Sequence, residues 1–198
     1  MALWDDLLAS VFGRTRLPRP DMDRIFALAA AAPSLPDAEL QFDERAAVCL
    51  KPVEGADFTA VDREIQALIQ LSANSQDFHS QVRSERDNLG YRWILFRDGD
   101  LGECVTLTHL AGSTLQEKGY GEQLLVAGFR FRLGPEATPG YLLYNYKRGR
   151  FYPFVPSGDA GQRIRNHAAE FRASGALGSL LPMEQDISRW FPLWDAPL

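Results

Sequence analysis

The sequence predicts an α+β fold, a ferredoxin-like β-α-β-β-α-β sandwich extended by a C-terminal β-hairpin and helix. Three observations carry that expectation. From Val48 to Leu133 the apolar spacing switches between periods of two and 3.6, in the order strand, helix, strand, strand, helix, strand. The stretch "YLLYNYKRGRFYPFVP" (141–156) reads as two aromatic strands around a glycine-containing reversal. A chain of 198 residues that is 45% hydrophobic and 24% charged can fill the core of one globular domain.

Residues 3–12, "LWDDLLASVF", place Leu3, Trp4, Leu7, Leu8 and Val11 on one side at helical spacing, with Asp5, Asp6 and Ser10 on the other. Gly13 ends this amphipathic helix, and "RTRLPRP" cannot extend it because proline lacks the amide hydrogen and clashes with the preceding turn. The chain thus divides into an appendage over residues 1–20, helix plus Pro/Arg linker, and a single α+β domain over residues 21–198. The appendage has three open destinations: the domain itself, a membrane surface or a partner helix. Asp5 and Asp6 oppose anionic lipid, whereas Arg14, Arg16 and Arg19 favour it. Leu3, Trp4, Leu7 and Leu8 are the candidate interaction residues of this segment.

Within the domain, Asp21 caps "MDRIFALAAAA", which Pro33 terminates, and "AAVCLKPV" follows as a strand ending near Pro52. Asp57 caps a helix whose apolar face is Phe58, Val61, Ile65, Leu68 and Ile69. Strands are expected near 79–85 and 90–97, then a helix over 103–118 ended by Gly119, then a strand through "QLLVAGFRFRL". In the hairpin, Leu142, Tyr144 and Tyr146 share one face, and Pro153, with no ladder donor, points to an edge strand. Asp159 is expected to cap a last helix over 160–175 that buries Ile164, Ala168 and Phe171. The segment "ISRWFPLWDAPL" is too apolar to be left bare, so packing onto the domain is favoured over a free binding motif.

Composition excludes several function classes. A net charge of −5 and pI near 5.2 repel polyanions, so a nucleic-acid site would have to be a local exception. Lys147, Arg148 and Arg150, expected at an exposed hairpin tip, are that exception, and Arg148 is the candidate contact for an acidic partner. The aromatic content of the hairpin is sufficiently explained by cross-strand packing, so single-stranded nucleic acid stacking over 144–152 is a lesser alternative.

Two cysteines without paired spacings fit a reducing compartment, and no leader or membrane-spanning run is legible. The expected location is therefore the cytoplasm, with peripheral contact at the inner membrane face open to the amphipathic start. His79, His109 and His167 are scattered, no metal-ligand spacing occurs, and neither a GxSxG elbow nor a P-loop is present. The acidic pairs sit at helix starts or loops, where capping explains them. No catalytic, cofactor or metal residue is assigned.

The blocks "FGRTRLPRPDMDRIFAL", "GYRWILF", "STLQEKGYGEQLL", "YNYKRGRFYPFVP" and "RWFPLWDAPL", in that order over nearly the whole chain, resemble the PspA-associated PspAB family. The resemblance implies a place in a phage-shock-like response to envelope stress. Its implied partners are PspA, the coiled-coil protein that coats stressed inner membrane, and a smaller associated protein. It implies no reaction and transfers no functional residue. The expected function is thus that of a non-enzymatic accessory protein acting through protein contact, with an enzyme of unknown chemistry as the alternative.

Overall fold

The computed structural model describes residues 21–51, 59, 60, 62, 63, 65–67, 70, 80–158, 162–194 and 196–198. The segment 1–20, with Leu3, Trp4, Leu7 and Leu8, lies outside them, as do Asp57, His79 and Asp159. The protein is a mixed α+β structure built on a six-stranded sheet in which every pairing is antiparallel.

The sheet strands are β1 (Leu40–Leu50), β2 (Gln81–Arg86), β3 (Arg92–Arg97), β4 (Leu124–Leu133), β5 (Thr138–Asn145) and β6 (Arg150–Phe154), arranged β2-β3-β1-β4-β5-β6. A two-stranded ribbon pairs β7 (Pro156–Ser157) with β8 (Ile164–Arg165). The helices of at least six residues with described bounds are α1 (Phe26–Ala31), α2 (Leu101–Glu117) and α3 (His167–Leu177). The described residues between 59 and 70 are also helical.

The first face of the sheet holds the main core. Ala46, Val48 and Leu50 of β1 pack with Ile94 and Phe96 of β3 and with Ala127, Phe129 and Phe131 of β4. Above them lie Cys104, Val105, Ala111 and Leu115 of α2, together with Ile65. The spacing of α2's buried residues is the helical period read from the sequence. Asp100 caps this helix, accepting the Glu103 amide at 3.0 Å. The buried hydroxyl of Thr108 donates to the Cys104 carbonyl at 2.6 Å, which removes its desolvation cost.

The opposite face is closed by the chain itself. Trp93, Leu95, Ala47, Cys49 and Val126 form one cluster with Leu198 and Leu193. Leu143, Tyr152 and Phe154 form another with Trp190 and Trp194. The apolar final segment is thus the lid of the second face, in agreement with the packing expected from its density of large rings. Gly128 permits the close fit, since a Cβ there would meet Leu198 Cδ1 at 2.8 Å.

Two elements depart from the sequence reading. Strand β1 starts at Leu40, well before the predicted Ala46, because Glu44 takes φ 55° and two extra residues bulge between Phe42 and Ala46. That bulge breaks the alternation by which a strand is recognised. The last helix starts at His167, not near 160, with Asn166 accepting the Ala169 amide at 3.0 Å as its cap. Its buried face is Ala169, Glu170, Ala173 and Leu177. Ala168 is exposed, and Ile164 and Phe171, both predicted inside, are 52% and 51% exposed. A buried glutamate in place of an apolar residue is what misphased the sequence reading.

Candidate functional site

The hairpin was the first candidate binding surface. Its register pairs Tyr144 with Phe151 on the first face, and Tyr141 with Phe154 and Leu143 with Tyr152 on the second. Tyr144, Tyr146, Phe151, Tyr152 and Phe154 are all buried. Tyr144 stands edge-on to Tyr146 at 5.6 Å and packs against Phe151 at 4.8 Å. Stacking on single-stranded nucleic acid needs exposed ring faces, and these rings present none. The outer edge of β6 is partly covered as well: Phe151 donates its amide to Pro182 and accepts the Glu184 amide.

The hairpin tip is also tied inward. Gly149 turns the chain at φ 60°, directly against the Asp21 side chain. Tyr144 donates its hydroxyl to the Asp21 carbonyl at 2.8 Å, and the Asp21 amide donates to Tyr146. Arg148 forms an ion pair with Glu184, which is buried, and Arg150 donates to the Met183 carbonyl at 3.1 Å. Lys147, expected at an exposed tip, is buried instead. The short turn after Tyr146 carries it down beside Lys51 rather than out into water.

Burial first, then the Lys51 charge, lowers the Lys147 ammonium to a pKa of about 8, against an opposing pull from Glu122. The unfolded chain restores the ordinary value of about 10.4. Between roughly pH 8 and 10 the unfolded state therefore holds this proton more firmly, and the group's contribution makes stability rise with pH. Below pH 8 both states are protonated and the penalty is fully present. Between urea unfolding at pH 7.5 and at pH 9.5, wild type is expected to gain stability relative to Lys147→Met, a comparison in which the opposing ionisation of the two buried thiols cancels. Equal pH slopes in the two proteins would contradict this.

Among the described residues, the histidines do not assemble into an acid–base relay. His109 Nε2 contacts Asp23 Oδ1 at 3.2 Å and Ser113 Oγ at 3.5 Å, while Phe26 packs on the ring at 4.6 Å. In a nucleophilic triad the acid and the serine engage opposite ring nitrogens, so that one orients while the other takes the proton. Here both partners share one nitrogen, and the Asp23 side chain is 93% exposed. The geometry is that of a surface helix contact. Cys49 and Cys104 are buried free thiols, and burial is the main cause raising both; Cys104 reaches about 12. Neither is poised as a thiolate nucleophile. Among the described residues no group of three or more His, Cys, Asp or Glu is placed to hold a metal. No helix among them is long and apolar enough to cross a membrane.

One buried charge cluster has a structural task. Glu170 Oε1 accepts the Val155 amide at 2.9 Å and Arg165 Nε at 2.8 Å, and Oε2 lies 3.2 Å from His167 Nδ1. Arg165 also donates to the Trp190 carbonyl at 2.5 Å and lies over the Phe154 ring at 5.3 Å. Trp190 Nε1 in turn donates to the Glu184 carbonyl at 3.0 Å. The cluster joins α3, the end of β6 and the final segment.

One concave surface lies where Arg45 of β1 meets Arg97 at the end of β3. It is a cleft of about 470 Å³ walled by Arg45, Arg83 and Arg97, with Gln66 among its polar groups and Leu95 and Leu198 among its apolar ones. Arg45 and Arg97 are directly opposite in the β1–β3 ladder, and Arg83 is opposite Leu95 in the next. Arg83 pairs with Glu85 at 3.2 Å and Arg97 with Glu44 at 3.6 Å. No carboxylate among the described residues forms an ion pair with Arg45. The lining contains no histidine, cysteine or carboxylate among the described residues. Such a wall can bind anions but offers no acid–base pair. Sequence reasoning missed this cleft, because its arginines come from three separate strands and meet only through the pairing.

No curated protein and no solved structure matches this chain. A family model does: that of PspA associated protein B matches residues 1–198, the whole length. With the fold and surface now described, the relationship is plain, and the chain belongs to the PspA associated protein B family.

Proposed function

We propose that this protein is a non-enzymatic accessory component of a phage-shock-like envelope stress response and acts by direct contact with a PspA-like coiled-coil protein. The observation that carries this reading is the family relationship, which spans the entire chain and whose description states association with PspA. The packing supports it: the rings of the hairpin and the buried charges Glu170 and Glu184 serve the core and the closure of the second face. A smaller associated protein is a further partner in this reading. The chain works in the cytoplasm, with residues 1–20 as a separable arm that reaches the partner or the inner membrane surface.

The fold reading that accompanies it is ferredoxin-like for β1–β4. Its support is the spatial order β2-β3-β1-β4 with all pairs antiparallel, and α2 packed on one face between β3 and β4 in sequence. Strands β5 and β6 then extend the sheet beyond β4.

Co-purification of the PspA-family protein of the same cell with the full chain, and with a chain lacking residues 1–12, tests the function. Recovery of the PspA-family protein with the full chain under stressed conditions is the expected result. Absence of association under both resting and stressed conditions would overturn the proposal.

A further inference from the structure

We propose that the cleft walled by Arg45, Arg83 and Arg97 is the docking site for an acidic, partly apolar segment of the protein partner; this rests on the function proposed above and names the surface that performs it. The first argument is the placement of charge. Like charges directly opposite each other in an antiparallel ladder are destabilising, yet Arg45 and Arg97 occupy such a pair. Protection of a sheet edge explains charged side chains on β2, the terminal strand. It does not explain Arg45, because β1 lies inside the sheet between β3 and β4.

The second argument is chemical. The three cations are all arginines, whose planar fork of donors matches a carboxylate through two parallel hydrogen bonds. Arg45 has no competing ion pair among the described residues, and the Glu44 carboxylate is a loose 3.6 Å from Arg97. An incoming carboxylate therefore displaces little. The side chains of Arg83 and Arg97 are 64% and 59% exposed, so they can reorient onto a ligand.

The third argument is the floor. Leu95, Leu198 and Pro197 place apolar surface within the cationic wall. A purely ionic ligand would leave that surface wet, whereas a segment alternating acidic and apolar residues fills both. At about 470 Å³ the cleft has the size of a pocket for a few side chains, not of a whole interface. It acts as an anchor within a larger contact.

The test uses the full chain and the purified PspA-family protein of the same cell. Binding is measured for wild type, Arg45→Ala/Arg97→Ala and Lys118→Ala, at low and high salt. The arginine variant should melt no lower than wild type, since it loses one like-charge pair and only the exposed, loose ion pair of Arg97 with Glu44. The expected result is affinity about tenfold weaker in the arginine variant, a shallower salt dependence, and no change for Lys118→Ala. Wild-type affinity in Arg45→Ala/Arg97→Ala would overturn the cleft while leaving the proposed function standing. Failure of wild type itself to bind would overturn both. In a parallel arm, vesicles of phosphatidylglycerol and phosphatidylcholine replace the protein. Arginine-dependent binding to these vesicles, without arginine-dependent binding to the protein, would overturn the proposal in favour of a lipid headgroup site.

Discussion

Replacing Glu170 with alanine is expected to destabilise the fold by about 3–5 kcal/mol, the range for removing one partner of a buried ion pair. Glu170 is fully buried and its carboxylate satisfies the Val155 amide and Arg165 Nε together. Without it, Arg165 remains in a site where its side chain is only 14% exposed, with the Trp190 carbonyl and the Phe154 ring as its remaining partners. A stranded guanidinium and a stranded amide both carry desolvation costs. Glu170→Gln keeps an acceptor for Val155 and should lose less. Replacing Glu170 and Arg165 both by methionine removes the orphaned charge and should recover part of the loss. Urea unfolding of the three variants decides the matter. A loss under about 1 kcal/mol in Glu170→Ala would mean that the cluster contributes little to stability.

Trp190→Ala is expected to have an effect of similar size, about 3–5 kcal/mol, because it removes a buried aromatic and leaves a cavity over the second face. Trp190 packs with Leu143, Tyr152 and Phe154 and donates to Glu184. For a domain of this size the loss corresponds to roughly 10 °C in melting temperature. Leu193 and Trp194, only partly buried, should cost less when truncated. Release of the final segment would also expose the second face, so the variant should bind an apolar dye that wild type does not. A melting temperature within a degree or two of wild type would show that this segment is not docked as described.

The parts of this structure that were legible in the sequence share a physical reason: their patterns are local. The alternation across residues 141–155 gave the faces, and Pro153 fell on the edge strand as its missing donor requires. Helix α2 was legible because its apolar residues recur at one period and Gly119 ends it at positive φ. The start of β1 was not legible, since a bulge at Glu44 shifts the alternation. The face of α3 was misread because its core position is Glu170, a residue that enters the interior only through Arg165 and Val155. The cleft was invisible for a related reason: nothing in the spacing of Arg45, Arg83 and Arg97 hints that β1, β3 and β2 will lie side by side. Among the proposed contact residues, Arg148 proved to be engaged by Glu184 within the chain.

The central claim is that the molecule acts by surface contact with a PspA-family protein while its core stays closed. Hydrogen–deuterium exchange of the full chain, alone and saturated with that protein, tests it most directly. The account predicts slowed exchange at surface segments, including 80–86 and 92–97, with the amides of the 141–155 hairpin unchanged. Exchange that is identical at every peptide in the two samples, or a hairpin that opens on mixing, would contradict it.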